Sequence, residues 1–291
     1  MRVWVSGAGG FTGRPLVRAL EASGHVVCAS KADCRDGEAV GQEIGAFDPN
    51  ALIHLAAISQ PQHQPVEDFY RVNVVGTSHV LAAAQSLSDV HQVILASSAT
   101  VYGAAAQSHA ILSEAAIAQP VGHYALSKFA MEQLAHAYPD LPILIVRPFN
   151  YTGPGQSEAF LFGKIAIHLG RGASVLELGN LALARDFTWL DDVVKVYVSC
   201  INTSAPLRGL CNVCSGVAQS LEDLVAALVR HVDASVQVTS NGALHRGAEI
   251  ARLAGDTTHL HALIGTVPRA LKVEMLLEMV DAARRSERMG D

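Results

Sequence analysis

The sequence lacks the features that would place the protein on a membrane or a nucleic acid. No apolar run reaches the roughly 18 residues needed to cross a bilayer. No block of Lys and Arg is present, and the formal net charge at pH 7 is −6, which disfavours a nucleic-acid surface. The segment MRVWVSGAGG enters a predicted strand at once and lacks the n-region and long apolar core of a signal peptide. We therefore expect a cytoplasmic protein that binds neither membranes nor nucleic acids.

Cysteine is also scarce, with 5 residues in a chain of 291. So few thiols in so long a chain do not indicate a disulfide framework. The segment CNVC at 211–214 has the spacing of metal ligands or of a redox pair, but no second Cys pair accompanies it. The flanking pattern LCNVC is typical of a short strand with alternating sides. We interpret these thiols as packing residues and predict no metal site.

Apolar residues are plentiful, at 50% of the chain, and in the first half they recur as short runs between helical patterns. Strands are predicted at 3–7, 25–30, 51–57, 91–98 and 141–149. Helices are predicted up to about residue 23, before the third strand, at about 66–87 and at about 123–137. Apolar strands without clean alternation, separated by helices, indicate a parallel sheet covered on both faces.

The second half has shorter and more mixed segments. It opens on the turn-rich loop NYTGPGQ, and helices are predicted near 158–170, 191–202, 219–231 and 270–286, with a strand at 210–213. The fold class is therefore α/β: a Rossmann-type doubly wound parallel sheet with a smaller α/β substrate-binding lobe. We expect a dinucleotide-binding domain over residues 1–150, to which parts of 180–220 return. The range 151–291 is expected to form mainly the substrate-binding lobe.

A glycine-rich loop between the first strand and the first helix predicts a dinucleotide site. Gly7, Gly10 and Gly13 follow GxxGxxG spacing in GAGGFTG, which suits a tight turn, close approach to a pyrophosphate, and close packing of helix on strand. An acid at the end of the second strand favours NAD, whereas a cation there suits the 2′-phosphate of NADP. This strand ends in Ser30 and Lys31, which favours NADP(H). A solvated loop lysine, and hence NAD(H), remains open at this point.

A tyrosine and a lysine lie one helical turn apart in YALSK. Tyr124 and Lys128 therefore project from one helix face, and an ammonium beside a phenol is expected to lower the phenol pKa from about 10. Such a phenol exchanges a proton with a substrate near neutral pH. Ser98, at the end of the strand 91–98, is placed to bond the same substrate oxygen. His54 lies within a predicted buried strand and is interpreted as a hydrogen-bonded core residue.

In combination, these motifs resemble the extended short-chain dehydrogenase/reductases that act on nucleotide sugars. The resemblance rests on GAGGFTG, HLAA (54–57), NVVGT (73–77), SSATVYG (97–103), YALSK and RPFNYTGPGQ (147–156). It implies the catalytic set Ser98, Tyr124 and Lys128, and a homodimer formed through the helices at 66–87 and 123–137. The cofactor-binding residues it implies, together with those at the strand end, are Gly7, Gly10, Phe11, Thr12, Gly13, Ser30, Lys31, Leu55, Ala56, Ala57, Asn73, Tyr124, Lys128 and Pro148.

The second half is most similar to the GDP-4-keto-6-deoxy-mannose reductases of this family. The similarity lies in FNYTGPGQ (149–156), ARDFTWLDDV (184–193), CNVCSG (211–216) and HRGAEIARLAGD (245–256). It implies that Ser98, Asn150, Arg185, Arg246 and Glu249 bind the nucleotide-diphosphate sugar. An arginine fork suits a diphosphate, and a carboxylate accepts from both hydroxyls of a ribose. Without the motif, Arg185 beside Asp186 would be read equally well as a surface pair, and Arg246 as a loop cation.

The strand motif departs from that pattern at one position. Reductases and dehydratases of the family usually carry an acid two residues before the Tyr-Gly of SSATVYG, where this chain has Thr100. The form SSATVYG is common in the C4-epimerases. The leading hypothesis is an NAD(P)H-dependent 4-ketoreductase of an NDP-4-keto-6-deoxy-hexose, with GDP as the nucleotide and Tyr124 as general acid. The alternatives are an NDP-sugar C4-epimerase with tightly bound NAD and a non-enzymatic dinucleotide sensor.

Overall fold

A computed structural model describes residues 1–60, 63–107, 111–242 and 250–289 of the chain. The strands are β1 (Arg2–Ser6), β2 (Val26–Ala29), β3 (Ala51–His54), β4 (Gln92–Ala96), β5 (Ile143–Pro148), β6 (Asn150–Thr152), β7 (Val175–Leu178), β8 (Ala184–Trp189), β9 (Gly209–Val213), β10 (Ala218–Ser220), β11 (Gln237–Ser240) and β12 (Arg252–Leu253). The α-helices are α1 (Gly13–Ala22), α2 (Gly37–Phe47), α3 (Glu67–Tyr70), α4 (Gly76–Gln85), α5 (His123–Leu134), α6 (Leu161–Gly170), α7 (Leu190–Ile201), α8 (Leu221–Val232), α9 (Thr258–Ile264) and α10 (Val273–Met289).

Six parallel strands form the main sheet in the order β2-β1-β3-β4-β5-β9. β2 pairs with β1 on one side and lies at the edge of the sheet. The chain then returns through α2 to β3 on the other side of β1, so its direction across the sheet reverses between β1 and β3. Ligands of open α/β sheets bind at such a switch point, beyond the carboxyl ends of the strands. The predicted Rossmann-type fold class is confirmed, and β9 joins the sheet from the second half of the chain.

Both faces of this sheet are buried, as the uninterrupted apolar strands predict. Val3, Val5 and Ile53 face a cluster that includes α1 and α7, whereas Trp4 and Leu52 face α2 and α4 on the other side. All five of these side chains are at most 1% exposed. Burial on both faces is what allows a strand to be apolar at consecutive positions rather than alternating.

A second hydrophobic cluster holds the smaller lobe together. It joins α6, α8 and α10 to β7 and β8 through side chains such as Phe162, Leu228 and Leu276. β8 pairs with β6, β10 and β12, while β7 pairs with β11. The short strands β6 to β8 and β10 to β12, and helix α9, were not predicted from the sequence.

The predicted helix at 66–87 contains a local change of winding. It comprises α3, a π-helical turn over Arg71–Val75, and α4. Such turns insert one extra residue and often lie at functional sites. In the part of the chain that the structure describes, every helix is too short or too polar to span a membrane.

Cys211 and Cys214 lie in two different hydrophobic clusters, on opposite sides of the strand and turn that carry them. Burial raises the pKa of both thiols. This confirms the interpretation of CNVC as packing residues. Within the described ranges, no group of three or more His, Cys, Asp or Glu side chains is arranged to hold a metal ion.

Candidate active site

The glycine-rich loop makes a sharp turn, and at two of its positions the surrounding backbone leaves no room for a side chain. Gly7 has φ +63°, and a Cβ there would lie 2.8 Å from the Ala56 nitrogen after β3. The Gly10 amide donates to the Gly7 carbonyl at 2.9 Å and closes the turn. Gly13 begins α1, and a Cβ there would lie 2.2 Å from the Gly7 oxygen. The loop therefore brings the α1 N-terminus directly against the ends of β1 and β3.

We predict that Gly13→Ala lowers dinucleotide affinity at least about tenfold, because the added methyl must displace the backbone of the loop. Gly45→Ala in α2 is the matched control, since a Cβ at Gly45 would meet nothing within 4 Å and Gly45 does not line the cleft. Calorimetric titration of both variants with NADP(H) and NAD(H) measures the effect. Equal affinities for the two variants would contradict this account of the loop.

Thr12 occupies the N-cap position of α1 without making a side-chain capping bond. Its hydroxyl instead hydrogen-bonds the Tyr151 hydroxyl of β6 at 2.9 Å, and the Tyr151 ring stacks on Phe11 with 6.0 Å between centroids. A helix N-terminus without a side-chain cap keeps its amide donors for an anion. The Thr12–Tyr151 pair also ties the glycine loop to the first strand beyond β5.

A buried hydrogen-bond network holds the switch point between β1 and β3. The Ser6 hydroxyl accepts from the amides of Leu55 and Ala56 at 3.1 Å each and bonds His54 Nδ1 at 2.7 Å. His54 Nε2 bonds the Thr77 hydroxyl at 3.0 Å, which itself donates to a backbone carbonyl. Thr77 therefore accepts from Nε2–H, and Nδ1 accepts from Ser6. The interpretation of His54 as a hydrogen-bonded core residue is confirmed.

Desolvation lowers the pKa of His54 to about 3, with a smaller contribution from the positive charge of Lys128. The imidazole is thus neutral at every pH at which the protein is expected to work. A neutral His54 can donate and accept at the same time, as the network between Ser6 and Thr77 requires.

Asn73 lies in the π-helical turn and links the loop after β3 to α5. Its amide bonds both the N–H and the carbonyl of Ile58, at 2.9 and 3.2 Å, and donates to the Ser127 hydroxyl at 2.9 Å. Ser127 in turn donates to the Tyr124 carbonyl at 2.8 Å. Asn73 is 1% exposed and does not line the cleft described below. The structure therefore gives it a supporting position behind the site.

The end of β2 is held by Glu43, a residue that the sequence reasoning did not select. Its carboxylate accepts from Trp4 Nε1 at 2.8 Å, from the Ser30 hydroxyl at 2.5 Å and from the Lys31 amide at 3.2 Å. Burial raises the pKa of Glu43, but these hydrogen bonds outweigh it and the net shift is downward. Ser30 lines the cleft, whereas the Lys31 side chain is exposed outside the lining.

Ser98 follows the end of β4, and it lies near Tyr124 and Lys128 in the first two turns of α5. Desolvation raises the pKa of Tyr124 to about 12, and a hydrogen bond with the Ser98 side chain works in the opposite direction. Lys128 is 4% exposed, its ammonium donates to the Ala96 carbonyl at 2.6 Å, and desolvation lowers its pKa to about 8. The prediction of a lowered Tyr124 pKa is therefore wrong for this structure, because burial dominates and the ammonium is engaged with the strand end.

A buried ion pair supports these strand ends from behind. Arg147 on β5 donates to the Glu132 carboxylate of α5 at 2.8 and 2.6 Å, and Ser97 donates to the same carboxylate at 2.5 Å. The guanidinium carbon lies 4.6 Å from the centre of the Tyr102 ring. The pair therefore ties Ser97, just after β4, and Arg147 of β5 to α5, and removing one partner would leave an uncompensated buried charge. In the sequence, the signal for this ion pair is Arg147, a charged residue within the apolar run LPILIVRPF.

On the side of the second lobe, β6 and β8 present Asn150 and Arg185 to the same space. The Asn150 amide donates to the Asp186 carbonyl at 3.4 Å, and Arg185 donates to the Ala184 carbonyl at 2.9 Å. The alternative of an Arg185–Asp186 surface pair is wrong, because Asp186 is fully buried and its carboxylate bonds Ser215 and the Gly216 amide. The two other predicted substrate ligands, Arg246 and Glu249, lie outside the described residues.

One continuous cleft runs from the glycine loop, across the ends of β1, β3, β4 and β5, to the second lobe. The predicted site residues that line it are Gly7, Gly10, Phe11, Thr12, Gly13, Ser30, Leu55, Ala56, Ala57, Ser98, Tyr124, Lys128, Pro148, Asn150 and Arg185. The glycine loop leaves a space that a side-chain Cβ would fill. From this loop the cleft continues to the Tyr124 phenol and the Lys128 ammonium. The residues present therefore fit an elongated ligand with a diphosphate at one end and a reacting group beside Tyr124.

The sequence of this chain is similar to a known protein family and to proteins of named activity. The model of the NAD dependent epimerase/dehydratase family matches residues 3–214. A GDP-6-deoxy-D-talose 4-dehydrogenase from Aggregatibacter actinomycetemcomitans is 29% identical over 287 residues, which cover 96% of each chain. A GDP-6-deoxy-D-mannose reductase from Pseudomonas aeruginosa is 29% identical over 283 residues, which cover 92% of each chain.

Solved structures show that proteins of similar sequence also share the fold of this chain. The structure of RMD from Pseudomonas aeruginosa complexed with NADPH matches with a TM-score of 0.88 and 27% sequence identity. The match covers 98% of this chain and 99% of the other. The similarity therefore includes the second lobe as well as the parallel sheet.

Proposed function

The chain belongs to the NAD dependent epimerase/dehydratase family, and we propose that within it the protein is an NAD(P)H-dependent 4-ketoreductase of a nucleotide-diphosphate 4-keto-6-deoxy-hexose. The substrate lies along the cleft between the glycine loop and β6 and β8, with its C4 carbonyl beside Tyr124. The reaction yields the 4-hydroxy sugar nucleotide.

The observation that carries this proposal is that Ser98, Tyr124 and Lys128 line one cleft with the glycine loop and with Asn150 and Arg185 of the second lobe. Reduction of a ketone requires an acid that gives a proton to the developing alkoxide, and the phenol of Tyr124, which is protonated at neutral pH, can serve as that acid. The match to a GDP-6-deoxy-D-mannose reductase over 92% of each chain favours reduction. The strand end also supplies no carboxylate for a dehydration, since Ala99 and Thr100 stand there.

Each member of the catalytic set has a distinct part in this reaction. The hydride comes from a reduced nicotinamide dinucleotide bound along the glycine loop. Tyr124 donates its proton to the C4 oxygen, and Ser98 stabilises the phenolate that results. Lys128 keeps a positive charge at the base of the cleft and, through its bond to the Ala96 carbonyl, fixes α5 to the end of β4. On the far side, the buried pair of Arg147 and Glu132 ties β5 to α5.

We assign the nucleotide of the substrate to GDP. Both relatives described above are named for GDP-linked 6-deoxy sugars, and they match nearly the whole of this chain. Asn150 and Arg185 bind the sugar nucleotide in this proposal, together with Arg246 and Glu249. Arginine is suited to the diphosphate because its planar fork of N–H donors pairs with two oxygens at once.

The cofactor that we propose is NADPH. The exposed ammonium of Lys31 follows β2, where a 2′-phosphate is expected, and the Glu43 carboxylate at that place is already engaged by Trp4, Ser30 and the Lys31 amide. The matching RMD structure also holds NADPH. Side-by-side turnover with NADPH and NADH tests the assignment, and a higher kcat/KM with NADH would overturn it.

Purified protein is expected to oxidise NADPH only when a 4-keto-6-deoxy sugar nucleotide is supplied. The assay follows nicotinamide absorbance with GDP-, dTDP-, CDP- and UDP-linked substrates, and the product is identified by NMR. The absence of turnover with all four would refute the proposal. Cofactor retained through gel filtration, an epimerised product and no net NADPH consumption would instead support the C4-epimerase, which the form SSATVYG favours.

A further inference from the structure

The hydroxyl of Thr100 lies within hydrogen-bonding distance of Ser98, at the position where the family resemblance implies an acid. Ser98 precedes a short 3-10 turn over Ala99–Tyr102 and caps it. The Ser98 oxygen accepts from the Thr100 amide at 3.2 Å and from the Thr100 hydroxyl at 3.0 Å. Thr100 is exposed and lines the cleft.

These two bonds determine the direction in which Ser98 can donate. A serine hydroxyl has one O–H donor and two acceptor lone pairs. Thr100 fills both acceptor positions, so Ser98 can interact with Tyr124 only by donating its own proton to the phenol oxygen. Ser98 is a side-chain hydrogen-bond partner of Tyr124, and this contact acts to lower the Tyr124 pKa.

We propose that Thr100 is a positioning residue that orients a chain of hydroxyls, Thr100 to Ser98 to Tyr124, so that every member donates toward the substrate oxygen. The inference rests on the proposed reduction for its chemical role. When Tyr124 gives its proton to the C4 oxygen, the phenolate takes the proton of Ser98, and Ser98 takes that of Thr100. Thr100, which is exposed to the cleft, takes a proton from water. Each hydroxyl loses one proton and gains one, and the net proton comes from solvent.

A carboxylate at this position would have the opposite effect. An ionised Asp is an acceptor only, so it would draw the Ser98 proton toward itself and away from Tyr124. Thr100 therefore does more than replace an acid that is absent. It turns the donor of Ser98 toward the phenol, which is the polarity that an acid catalyst needs.

The test compares Thr100→Val, Thr100→Ser and Thr100→Asp with the wild type. Valine has the shape of threonine without the hydroxyl, serine restores the hydroxyl, and aspartate provides an acceptor. We expect the reductive kcat to fall about tenfold in Thr100→Val and about a hundredfold in Thr100→Asp, with KM changed less than about threefold. Thr100→Ser is expected to keep at least about a third of the wild-type kcat.

A second readout does not depend on turnover. Protein labelled at the tyrosine ¹³Cζ position gives a resonance for Tyr124, which is assigned by its loss in Tyr124→Phe. We expect this resonance to shift in Thr100→Val and to coincide with the wild type in Thr100→Ser, because the change reaches the phenol only through Ser98.

The outcomes separate this proposal from the proposed function. A Tyr124 resonance that is the same in Thr100→Val and in the wild type would overturn the hydroxyl chain. A shifted resonance with an unchanged reductive kcat would overturn the role of Thr100 in proton supply. If the resonance shifts but the wild type reduces none of the 4-keto sugar nucleotides, the hydroxyl chain stands and the proposed function fails.

Discussion

Replacing Tyr124 by Phe is expected to lower the reductive kcat by about 10³-fold, within the range that general acid catalysis contributes. The substitution removes one oxygen from the cleft and leaves the ring, which packs beside Phe69 with 6.3 Å between centroids. Because the carbonyl that Ser127 bonds belongs to the backbone, the position of α5 is retained. Dinucleotide affinity is therefore expected to change less than about threefold, and the loss should lie in kcat.

Steady-state kinetics with the 4-keto substrate and calorimetric titration with NADPH measure these two quantities. Tyr138→Phe is the matched control, since Tyr138 lies beyond the C-terminal end of α5, outside the cleft lining. Retention of more than a tenth of the wild-type kcat in Tyr124→Phe would show that another group protonates the alkoxide. A combined loss of kcat and of dinucleotide affinity would contradict the expected threefold limit and would show that the Tyr124 hydroxyl also binds the dinucleotide.

The second large effect concerns stability in acid and is caused by His54. Its pKa is about 3 in the folded protein, below the value of 6.5 for an unperturbed histidine. Between these two values the unfolded chain binds a proton that the native state does not, so stability falls as the pH decreases from 6.5 toward 3. The loss attributable to His54 is about 2 kcal/mol at pH 5 and about 4 kcal/mol at pH 3.

Chemical denaturation of the wild type and of His54→Gln between pH 7.5 and pH 4 measures this loss. Glutamine can still accept from Ser6 or donate to Thr77, but it has no proton to gain. We expect the difference in unfolding free energy between the two proteins to change by about 2 kcal/mol from pH 7.5 to pH 5, in favour of the variant. Parallel pH curves would mean that the native state accommodates a charged His54.

The sequence predicted those parts of the fold and site that depend on residues near one another in the chain. The alternation of strands and helices, the glycine loop and the i, i+4 spacing of Tyr124 and Lys128 are all local patterns. Burial on both sides explains why strands such as β3 could be recognised from apolar runs alone. The fold class could therefore be derived without knowledge of any tertiary contact.

What the sequence could not predict depends on contacts between distant segments. Glu43 reaches the end of β2 from α2, and nothing in its own helix marks it as a partner of Ser30. The spacing of Tyr124 and Lys128 gave their shared face, but the sign of the Tyr124 pKa shift depends on desolvation by the rest of the fold. The short strands β6, β10 and β12 form because each of them pairs with β8, and strands of two or three residues carry too little local pattern to be recognised.

The order of the main sheet has a consequence for how the chain is made. β5 is flanked by β4 and by β9, and residues 149–208 separate it from β9. At a synthesis rate of about 5–20 residues per second, the outer edge of β5 stays unpaired for several seconds after it emerges from the ribosome. An apolar strand edge of this kind is prone to pair with other chains. Nascent chains of this protein are therefore most exposed to aggregation, and most in need of a chaperone, before Val213 has emerged.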